Sequence, residues 1–227
     1  MSLPDYGQTF GAWRAGAAAP WRAYTHHAFV EGLRDGSLPR AAFLHYLVQD
    51  YVFLVHFSRA WSLGVVKSET MEEMKVCAST VDALVNHEMS LHVDICAEAG
   101  IDEATLFGAT EAKQNLAYTR YEMDAGLQGD FLDLMAALAP CVMGYGEIGV
   151  RLAESKAADT PYADWIATYA DPEYQALCTT VGAMIDSAVA RRIGELGSSP
   201  RAEALQARFT MATSLEVDFW QMGLSEA

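Results

Sequence analysis

Leu47-Val48-Gln49-Asp50-Tyr51-Val52-Phe53-Leu54-Val55-His56-Phe57 is the stretch that decides the fold. From Tyr51 to Phe57 it is apolar nearly all round. A helix of that kind is enclosed by other helices, whereas a surface helix needs only one apolar stripe. The reading therefore starts from a central helix over 39–66 and works outward. Pro39, Pro161, Pro172 and Pro200 each follow a short linker and precede a periodic run, where a first-turn proline sacrifices no hydrogen bond. Asp171 and Ser199 add a capping oxygen just before two of these prolines, and Thr70-Met71-Glu72-Glu73 has capping-box spacing. Gly36, Gly100 and Gly197 mark helix ends. The helices are placed at approximately 5–18, 21–35, 39–66, 71–99, 110–126, 130–155, 162–170, 172–196 and 200–223. In helix 71–99, Met74, Val81, Leu84, Val85, Met89 and Ile95 form the expected buried stripe. No stretch alternates with period two and β-branched enrichment, so no sheet is predicted. The expected architecture is all-α, one helical domain over residues 1–227, with a ligand pocket between helices.

Composition narrows the function. The 227 residues carry 15 Lys+Arg against 30 Asp+Glu, a net charge of −15. That excess disfavours nucleic acid and anionic membranes as partners, because such surfaces need clustered cations. The densest basic pair is Arg191-Arg192, set among apolar residues. With 52% hydrophobic and 20% charged residues, a long disordered chain is excluded. The apolar stretch Leu134–Gly146 is interrupted by Pro140 and is shorter than the roughly 18–20 residues a bilayer span requires. The N-terminus MSLPDYGQTF has neither a basic start nor an apolar core, so no export signal is expected and the location is read as cytoplasmic. Cys77, Cys96, Cys141 and Cys178 are widely spaced and read as free thiols.

Three residues stand out for chemistry. Asp50 places a carboxylate where the periodicity says core, with Tyr46, Leu47, Phe53 and Leu54 on its face. It is either a structural acid satisfied by an arginine or backbone donors, or the group that holds a polar ligand. Glu216 has Phe219 and Trp220 at i+3 and i+4. Against aromatic surface a carboxyl stays neutral and can act as an acid near pH 7; facing solvent it is only a surface charge. Cys141 follows Pro140, which should kink its helix, with Tyr145 at i+4 and Ala137 and Gly144 beside it leaving room for a ligand. The alternative for Cys141 is a small core hydrophobe. All six histidines lie in the first 92 residues, so any cysteine–histidine or serine–histidine pair must reach back to the early helices. Glu88 and His92, at i and i+4, could share a metal, but a bundle di-metal site repeats such a motif on two helices and no repeat occurs. No metal site is assigned. Neither a dinucleotide nor a P-loop fingerprint is present.

Gln49-Asp50 in an aromatic helix, Pro140-Cys141-x-x-x-Tyr145-x-Glu147-Ile148-Gly149, Trp165-Ile166-x-x-Tyr169 and Glu216-x-x-Phe219-Trp220 follow one another in that order. In this the chain resembles the TenA/thiaminase II family over nearly its whole length. The resemblance implies the haem-oxygenase-like helical fold, no cofactor and commonly a homotetramer. It implies a hydrolase of thiamin-related aminopyrimidines, converting 4-amino-5-aminomethyl-2-methylpyrimidine to its hydroxymethyl product and cleaving thiamin. It further implies Cys141 as nucleophile on the ring, Glu216 as general acid/base, and Asp50 on the amino edge. Tyr145 and Tyr169 are implied as hydrogen-bonding residues around Cys141, Glu216 and the ring, and Phe53 and Tyr118 as pocket walls. Two positions depart from the family pattern: some members carry Tyr in place of Phe53, and an aromatic residue often stands where this chain has Met143. The rival readings are a non-catalytic binding or regulatory protein for such pyrimidines and a metal-dependent oxidase on the same scaffold.

Overall fold

A computed structural model of the protein describes residues 4–197 and 199–225. The described residues form helices with no strand: α1 (Gln8–Gly16), α2 (Ala18–Thr25), α3 (Ala28–Asp35), α4 (Arg40–Lys67), α5 (Met71–Ala83), a π turn (Leu84–Glu88), α6 (Met89–Glu98), α7 (Glu103–Phe107), α8 (Lys113–Gln128), α9 (Phe131–Ser155), α10 (Ala163–Ala170), α11 (Pro172–Arg192) and α12 (Pro200–Ser225). Two helices are enclosed by the rest. α4 buries residues on every face, as its all-round apolar centre requires. α9 is buried at every residue from Phe131 to Gly149. By length and composition α9 could cross a bilayer, but its whole apolar window is packed inside the bundle. α12 runs along α9 and also touches α2, α4 and α8; α5 covers α4, while α10 and α11 cover α9.

The helix starts follow local chemistry. Thr70 and Glu73 make the reciprocal capping box, and Asp130 and Asp133 make a second one at the start of α9. Asp171 Oδ1 accepts from Glu173 N ahead of Pro172, and Ser199 Oγ accepts from Ala202 N. Such caps contribute about 1 kcal/mol each.

Four expectations are corrected. Helix 21–35 is two helices, because His27 Nδ1 caps α3 by accepting from Phe29 N, a role sequence reading reserves for Ser, Thr, Asp or Asn. The run 172–196 stops at Arg192, where Gly194 at φ 77° turns the chain before Gly197 is reached. α7, capped by Asp102, lies in a stretch read as loop. Within 71–99 the π turn rotates the helix face, as an i→i+5 turn must. Ahead of that turn the buried face is Glu73, Val76, Cys77 and Thr80, continued by Leu84, whereas Met74 and Val85 are 36% and 47% exposed. Arg191 and Arg192, flanked by apolar residues in the sequence, both reach the buried Glu73 carboxylate.

Candidate active site

Asp50 projects from the middle of α4 and is buried. Tyr46, one turn earlier, donates to Asp50 Oδ2 at 2.9 Å, and His92 Nε2 lies 2.6 Å from the same oxygen. His92 Nδ1 is 2.9 Å from the Glu88 carbonyl. A carbonyl and a carboxylate only accept, so this pair of neighbours favours a ring that donates from both nitrogens, the imidazolium form. Burial opposes that charge, but the hydrogen bond and charge of Asp50, with Glu88 adding, hold the ring's pKa above its ordinary value. The buried acid on α4 is therefore satisfied by a histidine from α6, not by the arginine or backbone donors considered from sequence.

Glu216, on α12, is 1% exposed. Its Oε1 accepts from Tyr118 Oη at 3.0 Å. Burial raises its pKa to about 8, Asp50 adding to the rise, against hydrogen bonds from Tyr118 and Tyr24 that favour the anion. Glu88 is raised to about 7, again chiefly by burial, with His92 opposing. Glu122, one turn beyond Tyr118 on α8, is fully buried and pushed well above the carboxylate range by burial and by Glu216. Among the described residues no arginine or lysine pairs with any of these three acids.

Cys141 lies in α9 at 8% exposure, and the helix runs on through Pro140. Burial, then Glu216, Glu122, Glu88 and Asp50, raise its pKa well above the usual thiol value, so it rests as the thiol. The room expected beside it at Gly144 is taken by a protein ring: a Cβ there would stand 2.2 Å from Tyr24 Cε1. Gly149 is needed for a similar reason, since a Cβ would stand 2.4 Å from the Tyr169 carbonyl carbon. That close approach sets α10 against α9 and delivers Tyr169 to the site. Cys77, Cys96 and Cys178 are buried free thiols outside this group.

Aromatic rings join these groups. Phe53 packs on Tyr118 at 5.1 Å and on Phe219 at 5.5 Å between ring centroids, and Tyr145 packs on Tyr169 at 4.9 Å and Trp220 at 5.4 Å. The hydroxyls pair differently from the resemblance. Tyr145 Oη lies 3.4 Å from Tyr46 Oη, Tyr169 donates to Glu88 Oε1 at 2.8 Å, and the hydroxyl on Glu216 belongs to Tyr118, expected only as a wall. Met143 is fully buried. A cavity of about 600 Å³ between α5, the π turn, α10 and α11 is lined by Glu88, Tyr169 and Tyr174, so the Glu88–Tyr169 pair stands between it and the inner residues. A second cavity, among Lys67, Glu69, Arg191 and Arg192, contains none of the candidate residues. Among the described residues no three His, Cys, Asp or Glu side chains converge as for a metal ion. Glu88 and His92 face different partners, Tyr169 and Asp50.

Sequence reasoning missed the part played by Tyr46, although its i−4 spacing from Asp50 was visible. Glu122 and Tyr24 went unnoticed, and their lines of contact cross helices far apart in the chain. Only the periodicity of α8, which puts Glu122 on the face of Tyr118, carried a trace of the former.

Fold and site together define a helical-bundle protein whose interior gathers one thiol, several carboxyl groups raised by burial and a ring of aromatic side chains, the setting for a small polar ligand. The sequence profile of the TENA/THI-4/PQQC family matches residues 15–226, and the chain belongs to that family. An uncharacterized Haemophilus influenzae protein is 40% identical over 91% of this chain and 94% of its own. The aminopyrimidine aminohydrolase of Halalkalibacterium halodurans is 35% identical over 91% of each. A crystal structure from Silicibacter sp. TM1040, described as a TenA family transcription regulator, superposes with a TM-score of 0.95 at 59% identity, covering 99% of this chain and 100% of that one. The fold is haem-oxygenase-like, as is that of a Shewanella denitrificans domain at TM-score 0.72 and 12% identity, covering 96% of this chain and 92% of that one.

Proposed function

We propose that the protein hydrolyses thiamin-related aminopyrimidines: it replaces the amine of 4-amino-5-aminomethyl-2-methylpyrimidine by hydroxyl, serves thiamin salvage, and also cleaves thiamin. The observation that carries this reading is a buried Cys141 thiol sharing its surroundings with a Glu216 that titrates near 8. A thiol whose ionisation burial opposes needs a base, and an electron-poor ring under attack needs an acid. With a pKa near 8, about a tenth of Glu216 is ionised at neutral pH. Its anion takes the Cys141 proton and hands it to a ring nitrogen as the sulfur–carbon bond forms. Asp50, locked by Tyr46 and His92, offers its carboxylate to the exocyclic amine. Phe53, Tyr118, Tyr145 and Tyr169 enclose the ring and keep bulk water out. The aminopyrimidine aminohydrolase relative and the family membership support the substrate class. As part of the same reading the whole chain, 1–227, acts as one unit, without a cofactor, as a cytoplasmic homotetramer.

The regulator description of the Silicibacter relative favours a second reading, a non-catalytic protein that binds such pyrimidines. A net charge of −15 argues against direct contact with DNA. Incubation of the purified protein with the aminomethylpyrimidine and with thiamin, beside Cys141→Ala, decides between them. Hydroxymethylpyrimidine release that vanishes in the variant is expected. Tight pyrimidine binding with no turnover, unchanged by Cys141→Ser, would support the regulator.

A further inference from the structure

Glu122 is the unexplained acid of the interior. It is fully buried and neither of its carboxyl oxygens has a hydrogen-bond partner. A native structure rarely leaves such a group alone, because desolvation without a compensating hydrogen bond is costly, and more so for a charge. The ionisable groups that face it are Tyr118 on its own helix, Glu216 from α12 and Cys141 from α9. From α4 it is Phe53 that covers Tyr118. No cation stands among these, so Glu122 holds a proton. Tyr118 is the hydrogen-bonding group that acts on Glu122, while its phenolic hydrogen is directed at Glu216 Oε1 at 3.0 Å. The free lone pairs of Tyr118 Oη can accept, however, and a protonated Glu122 has a hydrogen to give. A small turn of the Glu122 carboxyl toward Tyr118 Oη would give its orphan oxygens a partner and complete a chain from Glu122 through Tyr118 to Glu216.

Resting on the hydrolysis proposed above, we infer that Glu122 is a positioning residue that lends one proton through Tyr118 to Glu216 during each turnover. The balance closes with no further reagent. Glu216 first carries the Cys141 proton to the ring nitrogen. When the carbon–nitrogen bond breaks and the amine takes its electron pair, the Glu122 proton moves to Tyr118, the Tyr118 proton to Glu216 and the Glu216 proton to the departing amine. Water then adds to the exocyclic carbon, and the proton it loses returns through Glu216 and Tyr118 to Glu122. As the sulfur–carbon bond breaks, the ring-nitrogen proton passes by way of Glu216 to the Cys141 sulfur, and every group is as it began.

Glu122→Gln separates this role from a structural one, since glutamine keeps the size, the neutrality and a donor but holds no transferable proton. The expected result is a kcat lower by about tenfold or more with KM within about twofold. Glu122→Ala, which leaves space for a small acid, should regain rate as formate buffer is raised at fixed pH and ionic strength, an effect absent in the wild type, and Glu122→Asp should recover part of kcat. Wild-type kcat in Glu122→Gln, or a loss in Glu122→Ala that formate does not relieve, would overturn the inference. An infrared measurement keeps the question open to decision if the variant fails to fold or if the wild type turns over neither substrate, an outcome that would sink the hydrolase reading itself. Wild-type protein at about pH 10, where Glu216 is ionised, should still show the carbonyl band of a protonated, buried carboxyl, and that band should be perturbed in Tyr118→Phe. A spectrum without that band, or one indifferent to Tyr118→Phe, would overturn the proton-holding role directly.

Discussion

Two sets of buried acids divide this molecule. At its periphery, Asp133 accepts from Arg201 at 2.8 and 3.1 Å and from Arg208 at 3.0 Å, Glu73 is held by Arg191 and Arg192, and Glu147 accepts from Arg14 at 2.9 Å and from Trp21 at 3.1 Å. Toward its interior, Glu88, half-buried at the cavity, meets Tyr169, and the fully buried Glu122 and Glu216 meet tyrosines, a thiol and each other. Burial acts to raise Asp133, Glu73, Glu88, Glu122 and Glu216, yet the arginines bring Asp133 and Glu73 below their ordinary values, while Glu88 rises to about 7, Glu122 well above normal and Glu216 to about 8. The lesson is that burial alone does not assign a role. The partner decides whether a buried carboxyl is an ionic tie between helices or a proton carrier.

That division is broken most forcefully at Cys141. Cys141→Ala should lower turnover of the aminopyrimidine by about a thousandfold or more while leaving the thermal midpoint nearly unchanged. A variant that unfolds, or that retains its rate, would erase the contrast between chemical interior and structural rim. Next in size is Asp133→Ala, which takes the acceptor from Arg208, leaves Arg201 with Asp130 alone and removes half of the capping box. Urea melts should show a loss of about 2–3 kcal/mol with kcat per folded molecule unaltered.

A third prediction sharpens the comparison through pH. Glu216 in the folded chain titrates near 8 against 4.5 unfolded. Between those values the folded state binds more protons, so this contribution to stability is full below pH 4.5 and is lost as pH rises to 8. Asp133 and Glu73 run the other way: their contributions are full above the unfolded values of 3.8 and 4.5 and are lost as pH falls through the lower folded ones. Glu216→Gln should accordingly match the wild type in melts at pH 4.5 and exceed it at pH 8, and equal midpoints at both would contradict the assignment. The smallest effect concerns His92. Asp50→Asn removes the charge that sustains the imidazolium, so the His92 ring followed by proton NMR should titrate at lower pH than in the wild type.

Much of this was legible in the chain. The enclosed helix was written in Tyr51–Phe57, and the starts of α5, α11 and α12 in Thr70, Asp171 and Ser199, because those signals act within one turn. The buried character of Asp50, Glu216 and Cys141 could be read from periodicity for the same reason. What could not be read was pairing across helices. His92 reaches Asp50 from 42 residues away and Tyr118 reaches Glu216 from 98. The His27 cap and the π turn escaped because the first uses an unusual capping residue and the second leaves the helical pattern intact while shifting its face.

The most direct test is a carboxyl carbon-13 titration of protein labelled at its glutamates, with Glu216→Gln and Glu73→Gln used to assign the two resonances. The account predicts a Glu216 midpoint close to 8 and a Glu73 midpoint below 4.5. A Glu216 that titrates with the solvent-exposed glutamates would contradict it.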